Sequence, residues 1–222
     1  MSGLLPSIEL TTGANPTASV IWLHGLGADG NDFVPVVSEL GLPPPLAVRF
    51  IFPHAPMQPV TLNGGFVMRA WYDIAAADLS LREDEAGVRQ SQREIEKLIA
   101  REKTRGIPAG KIVLAGFSQG GAIALQTGLR HPERLAGVLA LSAYLPLPWT
   151  LAAEASAANA DVPIFMAHGV VDPTIPLLLA NLSRQRLELQ GYQVEWHPYL
   201  MPHSLCPEEI RDIGIWLKHV LN

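Results

Sequence analysis

The sequence contains a single cysteine, Cys206, among its 222 residues. One thiol cannot form an internal disulfide, and no cysteine pair is present to hold a zinc ion. Histidine does not supply the missing ligands, because no two of the seven histidines have the spacing of a metal-binding pair on a helix. The sequence therefore predicts neither a disulfide-stabilised scaffold nor a metal centre.

The chain also lacks an excess of basic residues and a long apolar segment. Its 16 Lys and Arg against 21 Asp and Glu give a net charge of −5, which argues against nucleic acid as a partner. No segment reaches the roughly 20 apolar residues of a membrane span, and the first residues lack the basic and apolar parts of a secretory signal. We expect a cytoplasmic protein with no stable membrane insertion.

What the sequence does contain is enough apolar material for a substantial core, with 48% hydrophobic and 17% charged residues. A chain of this length suits one α/β domain covering 1–222. Near-continuous apolar runs, typical of strands covered on both faces, recur along it. The predicted strands are Ser19–Leu23, Ala47–Phe52, Lys111–Ala115, Leu135–Leu141, Val162–Ala167 and Tyr192–Trp196.

Helical patterns separate these strands. The clearest is Glu85–Arg105, whose basic face we expect to be solvated, although docking on anionic lipid is the alternative. Strands that alternate with helices imply right-handed βαβ units and a mainly parallel sheet with helices on both faces. Two stretches, Ala55–Leu81 and Ser142–Ala160, show no clear period and are predicted to be long functional loops. Further helices are predicted at about Phe33–Leu40, Gly120–Arg130, Pro176–Gln190 and Pro207–Leu221.

The most informative motif is Gly116-Phe117-Ser118-Gln119-Gly120, which lies between a predicted strand and a predicted helix. A Gly-x-Ser-x-Gly sequence in that context is typical of a nucleophile elbow. The serine lies on a strained turn that exposes its hydroxyl, and glycine on either side avoids steric collision. We predict Ser118 as a nucleophile.

A serine hydroxyl needs a neighbouring base and an acid that orients the base. In open α/β sheets these groups lie on loops at the carboxyl ends of strands, here in the order Ser, acid, His. Asp172 follows the predicted strand Val162–Ala167, and His203 follows the last strand. We predict Asp172 as the acid and His203 as the base, whereas His24 and His168 are expected to shape loops.

Acyl transfer also requires donors for the oxyanion. The N–H of Gln119, directly after the nucleophile, is one predicted donor, and the N–H of Leu26, in the loop after an early strand, is the other. That loop also matches a dinucleotide fingerprint through Gly25, Gly27 and Gly30. Dinucleotide binding would need an acidic residue about 20 positions further on, and residues 41–55 contain none.

With these residues assembled, the sequence resembles the carboxylesterase and acyl-protein thioesterase/lysophospholipase family of the α/β-hydrolase fold. The resemblance runs from about Ser19 to Leu221. It rests on residues 20–30, 59–65, 70–74, 114–121, 172–176 and 202–204. Pro202 departs from the glycine expected before the histidine. The resemblance implies an α/β-hydrolase fold, no cofactor, and hydrolysis of short- to medium-chain acyl esters, lysophospholipids or acyl thioesters.

The two long loops are rich in apolar residues, and we expect them to line an acyl groove beside Ser118. The predicted substrate-binding residues are Leu62, Phe66, Trp71 and Leu145. The partner is then a small-molecule ester or acyl lipid. A homodimer through exposed apolar loops is an open alternative, as are two other functions on this fold: a non-catalytic binding protein and a peptidase.

Overall fold

A computed structural model of the chain describes residues 3–76 and 83–222. The part of the predicted loop Ala55–Leu81 beyond residue 76 lies outside them. The strands are β1 (Ser7–Thr11), β2 (Ala18–Leu23), β3 (Val48–Pro53), β4 (Met57–Val60), β5 (Phe66–Arg69), β6 (Ile112–Phe117), β7 (Gly137–Leu141), β8 (Ile164–Gly169) and β9 (Val194–Tyr199). The α-helices are α1 (Glu85–Thr104), α2 (Gln119–Gly128), α3 (Leu151–Glu154), α4 (Leu177–Leu189) and α5 (Pro207–Leu221).

The main sheet has seven strands in the order β1-β3-β2-β6-β7-β8-β9. Only the edge pair β1–β3 is antiparallel, and the other neighbours are parallel. Parallel neighbours require crossover connections, which the helices supply. The carboxyl ends of β2, β6, β8 and β9 consequently lie along the same edge of the sheet. This confirms the predicted α/β-hydrolase architecture.

Alternate residues of the central strands enter two separate cores. Ile21 and Leu23 of β2 pack on the face covered by α1, α2 and α4, whereas Val20 and Trp22 pack on the face covered by α5. Because successive strand residues point to opposite faces, a strand buried on both sides must be apolar throughout. This is why β2 reads as a continuous apolar run with every residue buried.

Several sequence predictions are corrected. The helix expected at Phe33–Leu40 is a short 3₁₀ helix, Pro35–Glu39. The stretch after Ala55 contains an antiparallel hairpin of β4 and β5, and the edge strand β1 was not predicted. Both β1 and this hairpin are short and partly exposed, so they lack the apolar run that marks the buried strands. Within the described residues, no helix is long and apolar enough to cross a membrane.

Candidate active site

Ser118 lies at the junction of β6 and α2 with a backbone conformation that L-residues rarely adopt. Its φ is +55° and its ψ is −121°. The turn is held by the Ser118 N–H, which donates to the Leu141 carbonyl at 2.8 Å, and by the Ala122 N–H, which donates to the Ser118 carbonyl at 3.1 Å. A non-glycine residue held in such a region by its surroundings is a common feature of functional sites.

The two glycines of the motif are needed for space. A Cβ on Gly116 would lie 2.3 Å from the backbone carbonyl carbon of Gly120, and a Cβ on Gly120 would lie 2.4 Å from the Leu23 carbonyl oxygen. Both obstacles are backbone atoms, which cannot move aside as a flexible side chain can. The start of α2 therefore packs directly on β6 and on the end of β2, which fixes the position of Ser118.

Asp172 and His203 meet although they are 31 residues apart. Asp172 Oδ2 lies 2.6 Å from His203 Nδ1. The other carboxylate oxygen, Oδ1, accepts from the backbone N–H groups of Thr174 and Ile175 at 2.8 and 2.9 Å. The Asp172 side chain has no exposed surface. A buried carboxylate with every oxygen engaged holds its imidazole partner in one orientation.

The His203 ring lies beside the elbow. Its centroid is 4.7 Å from that of Phe117, the residue before Ser118. Ser118 is 8% exposed and lines a cavity of about 150 Å³. The structure thus brings the three positions predicted from sequence to the same end of the sheet.

Two other histidines hold the surrounding loops, as the sequence indicated. His24 Nδ1 is 2.7 Å from the Gly25 carbonyl, and its Nε2 accepts from the Ala55 N–H at 3.0 Å. Burial lowers the pKa of His24 to about 4, so the ring is neutral and donates through Nδ1. His168 Nε2 contacts the Ile175 carbonyl at 2.8 Å, and burial lowers the pKa of His168 too.

The predicted oxyanion donors both line the cavity beside Ser118. In the described part of the chain, the N–H groups of Leu26 and Gln119 have no hydrogen-bond acceptor, whereas the Gly27 N–H donates to the Arg69 carbonyl at 2.9 Å. Two unpartnered backbone donors next to a serine hydroxyl are suited to an oxyanion. The glycines of this loop have local reasons: a Cβ on Gly30 would lie 2.5 Å from the Phe52 carbonyl oxygen, and Gly27 has a φ of +78°.

The Gln119 side chain has a structural part in the site. It is buried; its Oε1 accepts from the Trp71 N–H at 2.7 Å, and its Nε2 donates to the Tyr72 carbonyl at 2.7 Å. This pair of bonds ties the segment after β5 to the elbow. Trp71 is tied further through its indole N–H, which donates to the His24 carbonyl at 2.8 Å.

Of the four residues predicted to bind substrate, only Leu62 lines the cavity beside Ser118. Trp71 and Leu145 do not line this cavity and pack in the core, at 1% and 3% exposure. Phe66 lies on the hairpin with 67% of its surface exposed. The remaining cavity-lining residues were not predicted, since they come from three separate segments that meet only in the folded chain: Tyr72, Ile74, Tyr144, Thr174 and Ile175.

A strained serine at a strand–helix junction, at one end of a mainly parallel sheet with an Asp–His pair beside it, defines the α/β-hydrolase class. A model of the phospholipase/carboxylesterase family matches residues 8–221. The chain therefore belongs to that family and is a serine hydrolase.

Known proteins of closely related sequence carry the name acyl-protein thioesterase 1. The protein of that name from Mycosarcoma maydis is 44% identical, with 96% of this chain and 95% of that protein covered. The Yarrowia lipolytica protein is 40% identical, with 96% of each chain covered. The crystal structure of Zea mays acyl-protein thioesterase 2 superimposes with a TM-score of 0.87 at 28% identity, covering 98% of this chain and 99% of that one.

Proposed function

We propose that this enzyme hydrolyses short- to medium-chain acyl esters and acyl thioesters through an acyl-enzyme at Ser118. The observation that carries the proposal is the 2.6 Å contact of Asp172 with His203, whose ring lies against the residue preceding the strained serine. The relatives named as acyl-protein thioesterases support the thioester part. Lysophospholipids are a third substrate class for the same chemistry.

In the first step His203 Nε2 takes the proton of the Ser118 hydroxyl while Oγ attacks the acyl carbonyl carbon. The carbonyl π electrons move to oxygen, and the Leu26 and Gln119 N–H groups stabilise the resulting oxyanion. Collapse expels the alcohol or thiol, which receives its proton from His203. Asp172 remains ionised and holds the imidazole in the Nδ1–H tautomer.

In the second step water attacks the acyl-enzyme, and His203 again acts as the base. The oxyanion is held by the same two donors, and its collapse returns the proton to Ser118 and releases the carboxylic acid. The cavity lining is mostly apolar, with Leu26, Leu62, Ile74 and Ile175 contributing side chains. Such a lining suits a hydrocarbon acyl chain.

The test is hydrolysis of matched p-nitrophenyl esters, acyl thioesters and lysolipids by the wild type, Ser118→Ala and Cys206→Ala. Cys206→Ala is the control, because it removes the only thiol without touching the proposed machinery. We expect Ser118→Ala to lose activity by a factor on the order of 10⁴ or more and Cys206→Ala to keep it. Equal activity of wild type and Ser118→Ala would reject the proposal.

The two alternative functions are separated by the same panel. A non-catalytic binding protein would bind acyl compounds but release no product, and a peptidase would cleave peptide amides faster than the matched esters. Cytoplasmic location and a homodimer stay predictions from the sequence. Cell fractionation and light scattering of the purified protein test them.

A further inference from the structure

Two buried tyrosines form part of the wall of the cavity at Ser118. Tyr72 lies after β5 and Tyr144 after β7, and both are under 5% exposed. Their hydroxyl oxygens are 2.7 Å apart, so one hydroxyl donates to the other across 72 residues of chain. Burial raises the pKa of both phenols, so the pair remains protonated and hydrogen-bonded over the working pH range.

A small recess adjoins the cavity at this pair. Tyr72, Ile74 and Tyr144 line both the cavity and the recess, whereas Ser118 lines only the cavity and Glu83 lines only the recess. The three shared residues are therefore a partition. The hydroxyl–hydroxyl bond joins its two tyrosines, and the Tyr72 carbonyl accepts from the Gln119 side chain.

The recess behind the partition is a poor place for hydrocarbon. One oxygen of Glu83 accepts from the Leu147 N–H at 2.8 Å, and the other is buried with no hydrogen-bond partner in the described residues. Burial raises the pKa of Glu83 to about 7. Placing hydrocarbon against a buried carboxyl oxygen that has no hydrogen-bond partner costs free energy, because that oxygen can then no longer be solvated.

We propose that the Tyr72–Tyr144 hydroxyl pair is the end wall of the acyl cavity and sets the longest acyl chain that the enzyme accommodates. This inference rests on the proposed function. The cavity volume of about 150 Å³ matches a cavity size known to hold benzene, which has six carbons. An acyl chain therefore gains buried surface up to about six carbons and then meets the wall.

The consequence is a break in the chain-length profile. Each buried methylene raises kcat/KM about fourfold, the equivalent of its transfer free energy, until the wall is reached. Beyond that length kcat/KM stops rising or falls. The measured quantity is the position of this break in a p-nitrophenyl ester series from acetate to dodecanoate.

Two variants change the wall to different degrees. Tyr144→Val removes the ring from one side of the wall and lengthens the cavity. We expect the break in the profile to move to acyl chains longer by about two to four carbons. A double variant, Tyr72→Phe with Tyr144→Phe, removes both hydroxyls together and keeps the shape, which is close to neutral for stability. We expect its break to move by about one carbon. Tyr192→Phe is the control, because Tyr192 is equally buried but does not line the cavity.

A break that stays in place in both variants, with melting curves showing them folded, would overturn the inference. So would a wild-type profile that rises steadily to dodecanoate. A second ester series keeps the acetyl group and lengthens the alcohol. Its chain-length profile should be the same in wild type and in the wall variants. A break that moves in this series instead would place the leaving group in the cavity. Failure of the proposed function has a separate signature, namely hydrolysis that survives Ser118→Ala across both series.

Discussion

The elbow and the β4–β5 hairpin both flank the cavity, but their glycines serve opposite purposes. At Gly116 and Gly120 an added Cβ would strike backbone atoms at 2.3 and 2.4 Å. At Gly64 and Gly65 it would meet nothing within 4 Å, and glycine is favoured there only by φ values of +66° and +80°. The glycines of the elbow are therefore fixed by close backbone packing, whereas those at the tip of the hairpin are fixed only by the conformation of the turn.

The polar contacts of the two regions differ in the same way. Around the elbow the side chains of Asp172 and Gln119 are buried and have both of their polar atoms paired. The hairpin instead presents large apolar side chains to solvent, Phe66 at 67% and Met57 at 58% exposure. Chemistry that requires fixed distances fits the first region and not the second.

The largest effect is expected from Asp172, the proposed acid beside the elbow. Asp172→Asn should leave the fold intact but lower kcat by a factor of about 10⁴, because the amide stabilises the wrong imidazole tautomer. Steady-state hydrolysis of p-nitrophenyl butyrate measures this. Thr61→Val, which removes a side-chain partner of Asp73 at the hairpin, is the matched comparison and should change kcat less than tenfold. A drop for Asp172→Asn no greater than that of Thr61→Val would contradict the role of Asp172.

The second effect concerns the glycines themselves. Gly120→Ala should destabilise the protein by more than about 3 kcal/mol, since the methyl group collides with backbone. Gly64→Ala should cost only about 1 kcal/mol, the penalty of a left-handed L-residue. Urea unfolding curves of the two variants compare them directly. Similar losses of stability would show that the elbow has room that the structure does not indicate.

The third prediction concerns pH and the residue that joins the two regions, His24. Its folded pKa of about 4 is below the ordinary value of 6.5, so the unfolded chain binds the extra proton first as pH falls. His24 therefore contributes stability that is complete above pH 6.5 and is lost between about 6.5 and 4, on the order of 3 kcal/mol.

Unfolding measured at several pH values tests this contribution. His24→Gln keeps an acceptor for the Ala55 N–H and should have a lower free energy of unfolding than wild type at neutral pH. Its free energy of unfolding should then fall less steeply on acidification than that of wild type. His219→Gln, at an exposed position on the last turn of α5, is the control and should keep the wild-type slope. The same slope in all three proteins would reject a buried neutral His24.

The smallest effect is expected on the hairpin. Phe66→Ala should change kcat/KM for p-nitrophenyl butyrate by less than about twofold, because the exposed ring does not line the cavity. Leu62→Ala, on the same hairpin but lining the cavity, should lower it several-fold through lost apolar contact. An equal or larger loss for Phe66→Ala would show that the hairpin folds over bound substrate.

The contrast between the regions also explains what the sequence could predict. Ser118 and Asp172 could be placed because each follows a strongly apolar strand, β6 or β8. His203 follows the partly exposed β9, and its position was predicted because parallel strands deliver their carboxyl ends to one edge. The N–H groups of Leu26 and Gln119 were predicted as oxyanion donors from the same rule, since both residues follow a strand. The hairpin could not be found, because four-residue strands with exposed faces carry no periodic signal.

The acyl-groove predictions placed only Leu62 at the cavity, for a different physical reason. An apolar residue in a loop looks the same in sequence whether it lines a cavity or packs in the core. Trp71 and Leu145 were assigned to the groove and lie in the core, whereas Tyr72, adjacent to Trp71, lines the cavity. Which of two neighbours faces the cavity depends on tertiary contacts such as the Gln119 bonds to this segment.

The most direct test of the central claim is covalent labelling by a fluorophosphonate, which reacts with an activated serine hydroxyl. Intact-protein mass followed by peptide mapping should show one adduct on Ser118 in wild type and none in Ser118→Ala. Labelling of Asp172→Asn should be slower by orders of magnitude, since the serine would be present but not activated. An adduct on another residue, or equal labelling rates in wild type and Asp172→Asn, would contradict the account.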